Sequence, residues 1–182
     1  MKKITFILPL LFLLTNSKAQ PATGNFKEFI LWKDSIQLTW KDFKGQPVNN
    51  AAEAAMTASS MEFSYNTKNT QIFWKVNVKF FPLLSWSNKS KESAYILLHE
   101  QLHFNITELY ARMLRKQLTE NVFSTKDLAK LKAINKSILQ QWQNEQDRYD
   151  RETNHSMNEV QQAAWNKSIQ MRLDALKAFA SK

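Results

Sequence analysis

The sequence of 182 residues contains no cysteine. Without cysteine, no disulfide can hold the fold together and no N-terminal thiol can carry a lipid. Thiolates are also excluded as metal ligands, which leaves histidine and the acidic side chains for a zinc site. Stability must therefore come from buried apolar area, for which the sequence has six tryptophans and twelve phenylalanines.

An apolar run long enough to cross a membrane is also missing. Residues 4–14 are apolar, but a membrane-spanning helix needs about 20 such residues. This stretch follows Lys2 and Lys3 and precedes Ser17-Lys18-Ala19, a small-x-small cleavage pattern. We therefore predict a signal peptide over residues 1–19 and a periplasmic or secreted protein without stable membrane insertion after cleavage. An uncleaved N-terminal anchor is the alternative.

A dense basic segment is missing as well. The formal net charge is +9, but the lysines are spread along predicted helices and do not alternate with aromatic residues in one block. That distribution is typical of solvated helix faces and argues against nucleic-acid binding. Residues 20–182 contain no Pro/Gly/Ser-rich linker and no repeat, and their length suits one domain.

The N-terminal half is predicted to be rich in β-strands. Apolar and polar residues alternate over 36–40 and most clearly over 71–80, and residues 56–65 are rich in Thr, Ser and aromatic side chains. A turn at 66–69 indicates a hairpin between the last two segments. Gly45, one of only two glycines, closes a turn after the first segment.

The C-terminal half is predicted to form about three helices. The first runs from Ser90 as its N-cap to about residue 118, and the second from residue 125 or 126 to the mid-140s. The third starts at Ser156, which forms a capping box with Glu159, and continues to about residue 179. We therefore expect one α+β domain with a small antiparallel or mixed sheet followed by these helices.

Two of the three histidines belong to an H-E-x-x-H motif formed by His99, Glu100 and His103. Positions i and i+4 lie on the same helix face, so the two imidazoles can bind one zinc ion. Glu100 can then act as a general base on a water that the metal activates. The motif lies within the first predicted helix, and it predicts a zinc hydrolase.

The third zinc ligand is less closely defined by the sequence. His155 is the favoured candidate, because a chain reversal at a helix start can bring it back to the first helix. Asp150 and Glu152 are the fallback ligands, or acceptors that orient an imidazole. Glu108 lies about 140° around the helix from His103, which directs it away from the other ligands.

Hydrolytic sites usually add a hydrogen-bond donor for the developing oxyanion. Tyr149 is our candidate for this catalytic role, because it adjoins the segment that carries the third ligand. Tyr110 is a second candidate, since it lies seven residues after His103 in nearly the same helical direction. Either tyrosine can instead be a packing residue.

Three segments carry a resemblance to a known family: HEQLHFNITELYAR (99–112), YDRETNHS (149–156) with Gln161, Gln162 and Trp165 after it, and LTWKDFKG (38–45). They resemble the blocks of a bacterial family of predicted secreted zinc-dependent proteases, domain of unknown function 922. Segment 38–45 resembles the N-terminal block of that family, and the three segments follow one another in the expected order. The resemblance implies a zincin-like domain over 20–182, a zinc motif at His99, Glu100 and His103, and a peptide or protein substrate. The alternatives are a non-catalytic zinc- or peptide-binding module of the cell envelope, an amidase acting on cell-wall material, or a scaffold without metal.

Overall fold

The computed structural model describes residues 3–6, 28–48 and 51–181. Within these residues, the six strands are β1 (Lys3–Phe6), β2 (Ile30–Leu31), β3 (Ala55–Met56), β4 (Ser59–Lys68), β5 (Gln71–Phe80) and β6 (Trp86–Ser87). The α-helices of the same ranges are α1 (Ala94–Thr119), α2 (Leu128–Thr153) and α3 (Glu159–Ala175). This arrangement confirms the α+β class, with small antiparallel sheets preceding three helices.

The larger sheet is built around a hairpin of β4 and β5. The two strands pair from Ser59↔Phe80 to Lys68↔Gln71, so the connecting turn is 69–70 rather than the predicted 66–69. Asn69 has a φ of 54°, a left-handed conformation that asparagine tolerates better than most residues. Strand β1 pairs with β4 and β2 with β5, giving the antiparallel order β1-β4-β5-β2. Strands β3 and β6 form a separate two-stranded sheet.

Strand β1 lies within the segment predicted as a signal peptide, and residues 7–19 of that segment lie outside the described residues. Export and cleavage therefore stay predictions. Among the described helices, none is both long enough and apolar enough to cross a membrane.

The prediction of a strand at 36–40 is wrong. Residues 36–39 are not in a strand, and a single 3₁₀ turn follows at Trp40–Asp42. Leu38 is buried, and its N–H donates to Gln101 Oε1 at 2.7 Å. The backbone here is thus satisfied by a side chain from α1 instead of by a neighbouring strand, a partner that local sequence patterns do not reveal.

The helix starts also differ from the predictions. The N-cap of α1 is Ser93, whose side chain accepts from the N–H of Ile96, while Ser90 lies in a preceding 3₁₀ turn. The N-cap of α3 is Asn158, which accepts from the N–H of Gln161. Ser156 does not cap this helix, because it lies in a left-handed turn of three residues, 154–156, between α2 and α3.

Helix α1 is the central element of the fold. It contacts the β4–β5 hairpin on one side and both α2 and α3 on the other. As a result, it buries polar residues as well as apolar ones, including His99, Glu100, Gln101, Glu108 and Arg112. Each of these buried polar groups needs a partner, and those partners come from α1 itself, from the other helices and from the N-terminal half of the chain.

One group of buried charges joins α1 to the rest of the fold. Glu108 is fully buried, and its Oε1 lies 3.0 Å from Arg112 Nε and 3.0 Å from Arg115 Nη1. Arg112 also donates to the Leu173 carbonyl of α3 at 2.7 Å, and Arg115 donates to the Val76 carbonyl of β5 at 3.1 Å. Glu108 therefore compensates two arginines that connect α1 with the sheet and with α3.

Gly45 sits against backbone that leaves no room for a side chain. A Cβ atom at this position would lie 2.9 Å from Ser85 O and 3.0 Å from Leu83 O. Because backbone atoms cannot move aside as a flexible side chain can, we expect Gly45→Ala to lower the free energy of unfolding by about 1–3 kcal/mol. Urea unfolding measures this, with Gln46→Ala at the exposed neighbouring position as the control. Equal stability of the two variants would contradict the close approach.

Candidate metal centre

Three side chains from two helices converge on one point. His99 Nε2 and His103 Nε2 lie 3.2 Å and 3.0 Å from Asp150 Oδ1, and the two imidazole nitrogens are 3.2 Å apart. All three side chains are largely buried, with exposed fractions of 5%, 13% and 9% for His99, His103 and Asp150. Their ligand atoms form a compact group that could hold a metal ion.

The helices explain why these residues meet. His99 and His103 are one turn apart on α1, and Asp150 lies near the end of α2, which packs against α1. Gln146 precedes Asp150 by one turn on the same face of α2, so both side chains reach α1. The His-His-Asp group is thus assembled from the contact between α1 and α2.

Two glutamine side chains set the orientation of the imidazoles. Gln162 Oε1 lies 2.7 Å from His99 Nδ1, and Gln146 Oε1 lies 2.7 Å from His103 Nδ1. Both amides have their NH₂ groups engaged elsewhere: Gln146 Nε2 donates to the His103 carbonyl, and Gln162 Nε2 donates to Asn166 Oδ1. Each imidazole therefore donates from Nδ1, which leaves Nε2 as the atom directed at the centre of the group.

This arrangement places three acceptor atoms together, which is unfavourable unless a positive charge lies among them. In the metal-free protein a proton can supply it. Burial lowers the pKa of His103, but Asp150 and Glu100 outweigh burial and raise it to about 9. Burial likewise raises the pKa of the Asp150 carboxyl, but His103 and His99 outweigh it and hold that pKa well below its usual range. The site thus favours a cation at its centre.

The donor set and its spacing fit zinc. Zinc is commonly bound by imidazole nitrogen and carboxylate oxygen, and ligands about 2.0–2.2 Å from a tetrahedral ion lie about 3.3–3.6 Å from one another. The observed separations of 3.0–3.2 Å are close to this spacing. Three protein ligands also leave one coordination position open, as catalytic zinc sites do.

His155, the favoured third ligand, lies beside this group and not within it. Its Nδ1 is 3.8 Å from Asp150 Oδ1, and its side chain is 53% exposed. The residue occupies the turn at 154–156, where Asn154, His155 and Ser156 have φ angles of 49°, 49° and 71°. Asp150, a fallback ligand in the sequence analysis, is the residue that both other histidines contact.

Glu100 lies next to the group without belonging to it. Its side chain is buried, and Oε2 accepts a hydrogen bond of 2.7 Å from Thr57 Oγ1. Its charge contributes to the raised pKa of His103, so the carboxylate lies within electrostatic range of the group. A carboxylate that is near a candidate metal site without belonging to the ligand group suits the role of a general base.

The tyrosines predicted as oxyanion donors serve other contacts. Tyr149 is fully buried, its ring stacks on His99 at 4.5 Å, and its hydroxyl donates to Gln162 Oε1 at 2.8 Å. Burial raises the pKa of Tyr149 far above its usual value. Tyr110 is buried, and this burial is the main cause that raises the pKa of its hydroxyl, with a smaller contribution from the charge of Glu145. The hydroxyl forms a hydrogen bond with Arg172.

The two remaining candidate ligands are also engaged elsewhere. Glu152 Oε2 accepts from Trp165 Nε1 at 2.9 Å, and Glu108 pairs with the two arginines described above. Both carboxylates therefore have structural partners away from the two histidines of α1.

Sequence reasoning missed three residues of the site. Gln146 could have been found from its spacing, because it lies one turn before Asp150 on the same helix face. Gln162 was noted only as part of a family-like block and received no role. Thr57 has no local signal, since its contact with Glu100 joins residues 43 positions apart.

The protein has an α+β fold with a buried site, in which His99 and His103 of α1 meet Asp150 of α2 and Glu100 of α1 lies beside them. The family described as "Bacterial protein of unknown function (DUF922)" matches residues 35–156. The chain belongs to this family. The match contains His99, Glu100, His103 and Asp150, whereas Gln162 lies beyond it. No curated protein and no solved structure matches the chain.

Proposed function

We propose that this protein is a zinc-dependent hydrolase of peptide bonds. The convergence of His99 Nε2, His103 Nε2 and Asp150 Oδ1 within 3.2 Å, with Glu100 beside them, supports this proposal most strongly. Asp150 is the proposed third ligand, since its Oδ1 is the atom that both imidazoles already contact. The chain is further proposed to be exported through residues 1–19, which places its substrates in the periplasm or outside the cell.

When bound, zinc would supply a Lewis acid that polarises a carbonyl and lowers the pKa of water. The protein's own residues do the remaining work. Glu100 takes a proton from the attacking water and passes it to the leaving amine. Gln162 and Gln146 hold His99 and His103 in the tautomer that keeps Nε2 free, and Tyr149 fixes both His99 and Gln162.

Peptides are the proposed substrate class because the three sequence blocks resemble a family of predicted proteases. The same ligands and base would also serve an amidase on cell-wall material, so a peptide and a peptidoglycan substrate should be assayed side by side. If only peptidoglycan were cleaved, the protein would still be a hydrolase, but its substrate class would be peptidoglycan and not peptides.

Glu100→Gln separates the hydrolase from a zinc-binding module without activity. We expect about one zinc per chain in both parent and variant, because Glu100 is outside the ligand group. Loss of the general base should reduce hydrolysis of an unstructured protein such as casein by about 10²- to 10⁴-fold. Zinc is measured by elemental analysis and hydrolysis by release of soluble peptides.

Glu120→Gln, an exposed substitution at the end of the same helix, is the control and should leave both quantities unchanged. A parent that takes up no zinc after metal loading would contradict the proposal. Equal activity in Glu100→Gln and parent would contradict the role of Glu100.

A further inference from the structure

A single hydroxyl group contacts the carboxylate of Glu100. Thr57 Oγ1 lies 2.7 Å from Glu100 Oε2 and 3.1 Å from the Glu100 carbonyl oxygen. A hydroxyl has one proton to donate, and the charged carboxylate is both the nearer and the stronger acceptor. Thr57 therefore donates its proton to Oε2.

The second carboxylate oxygen of Glu100, Oε1, is in a different environment. Within residues 28–48 and 51–181, no group donates a hydrogen bond to Oε1. The two oxygens are thus unequal, since one is fixed by a neutral donor and the other is available. A general base needs this arrangement, because the oxygen that takes the proton must be aligned and must not be engaged already.

The backbone on both sides of Thr57 is fixed, which fixes the hydroxyl as well. Met56 pairs with Trp86 in the two-stranded sheet. Ala58 donates its N–H to Ser85 Oγ at 2.9 Å, and its carbonyl accepts from the N–H of Phe81 at 2.9 Å. A β-branched side chain on such a backbone has few rotamers available. The donor is therefore set by the sheets and not by α1.

We propose that Thr57 is a positioning residue for Glu100, holding Oε2 so that Oε1 faces the attacking water. This inference rests on the proposed function, in which Glu100 is the general base. Without the hydroxyl, the carboxylate can rotate about its terminal torsion, and a smaller fraction of molecules has an oxygen aligned for proton transfer.

Thr57→Val removes the hydroxyl and keeps the shape of the side chain. We expect kcat for casein hydrolysis to fall about 10- to 100-fold, since small misplacements of catalytic groups have effects of this size. KM and zinc content should stay at the parent values. Thr57→Ser, which restores the hydroxyl, should recover most of the lost kcat. Thr67→Val in β4, a threonine near the hairpin turn, is the matched control.

Urea unfolding tests the same contact without any assay of hydrolysis. Thr57→Val should lower the unfolding midpoint in the parent background, because it leaves a buried carboxylate without its donor. The shift should be clearly smaller in a Glu100→Ala background, where the acceptor is already absent. Equal shifts in the two backgrounds would overturn the proposed contact.

The kinetic outcomes separate the inference from the proposed function. An active parent whose kcat is unchanged in Thr57→Val, or not recovered in Thr57→Ser, would overturn the role of Thr57 alone. Loss of zinc in parallel with kcat in Thr57→Val would overturn it too, since the residue would then support the metal site. A parent without zinc or hydrolysis would overturn the proposed function, and catalytic positioning by Thr57 with it.

Discussion

Asp150→Ala should weaken zinc binding by more than about 100-fold, because residues that merely orient metal ligands already account for 10- to 100-fold. Asp150 Oδ1 is the atom that both His99 Nε2 and His103 Nε2 approach, at 3.2 Å and 3.0 Å. Its removal leaves two imidazoles, which is one ligand fewer than catalytic zinc sites have. Competition with a chromogenic zinc chelator would measure the change in affinity.

His155→Ala is the matched control for this experiment. The His155 side chain is half-exposed, and its nearest ring nitrogen is 3.8 Å from Asp150 Oδ1. We expect its removal to change zinc affinity by less than about tenfold, because the exposed imidazole lies beyond hydrogen-bond distance of Asp150 and does not orient it. The opposite order, with zinc retained in Asp150→Ala and lost in His155→Ala, would return the third ligand position to His155.

Glu108→Ala should destabilise the fold by about 3–5 kcal/mol, the usual cost when one partner of a buried ion pair is removed. Arg112 and Arg115 would both lose a buried carboxylate partner, and Arg112 would keep the exposed Asp34 at 3.1 Å. Glu108→Gln keeps an acceptor oxygen but not the charge, so its stability should lie between those of Glu108→Ala and the parent. Urea unfolding followed by circular dichroism would measure all three.

The exposed pair of Lys116 and Glu120 provides the comparison for Glu108. These side chains are 3.9 Å apart on the same helix, and each is about half-exposed. Because exposed ion pairs contribute little, Glu120→Ala should cost less than about 1 kcal/mol. If Glu108→Ala were no more destabilising than Glu120→Ala, the buried charges would not hold α1 in place.

The helices and the hairpin could be predicted because their sequence patterns are local. Strand β5 has the predicted bounds 71–80, and the periodic apolar residues that predicted helices in the second half lie in α1, α2 and α3. The segment 36–40 shows the limit of such patterns. It alternates like a strand, yet Leu38 is held by the side chain of Gln101, 63 residues away.

The candidate site likewise has one part that local sequence patterns predict and another part that they do not. His99, Glu100 and His103 are set by the geometry of one helix, so their spacing alone brings them together. The choice between Asp150 and His155 depends on how far α2 continues and how the chain leaves it. The sequence placed the end of α2 in the mid-140s, whereas the helix continues to Thr153 and carries Asp150 inward.

The turn at 154–156 affects where local unfolding of the protein begins. Left-handed backbone costs a residue with a side chain about 1–2 kcal/mol, and less for asparagine. Asn154, His155 and Ser156 adopt positive φ in succession, where glycine would fit freely. The backbone at the corner between α2 and α3 is therefore strained. We expect this corner to open in local unfolding before the interior of α1 does, which would separate Gln162 on α3 from the Tyr149 hydroxyl on α2.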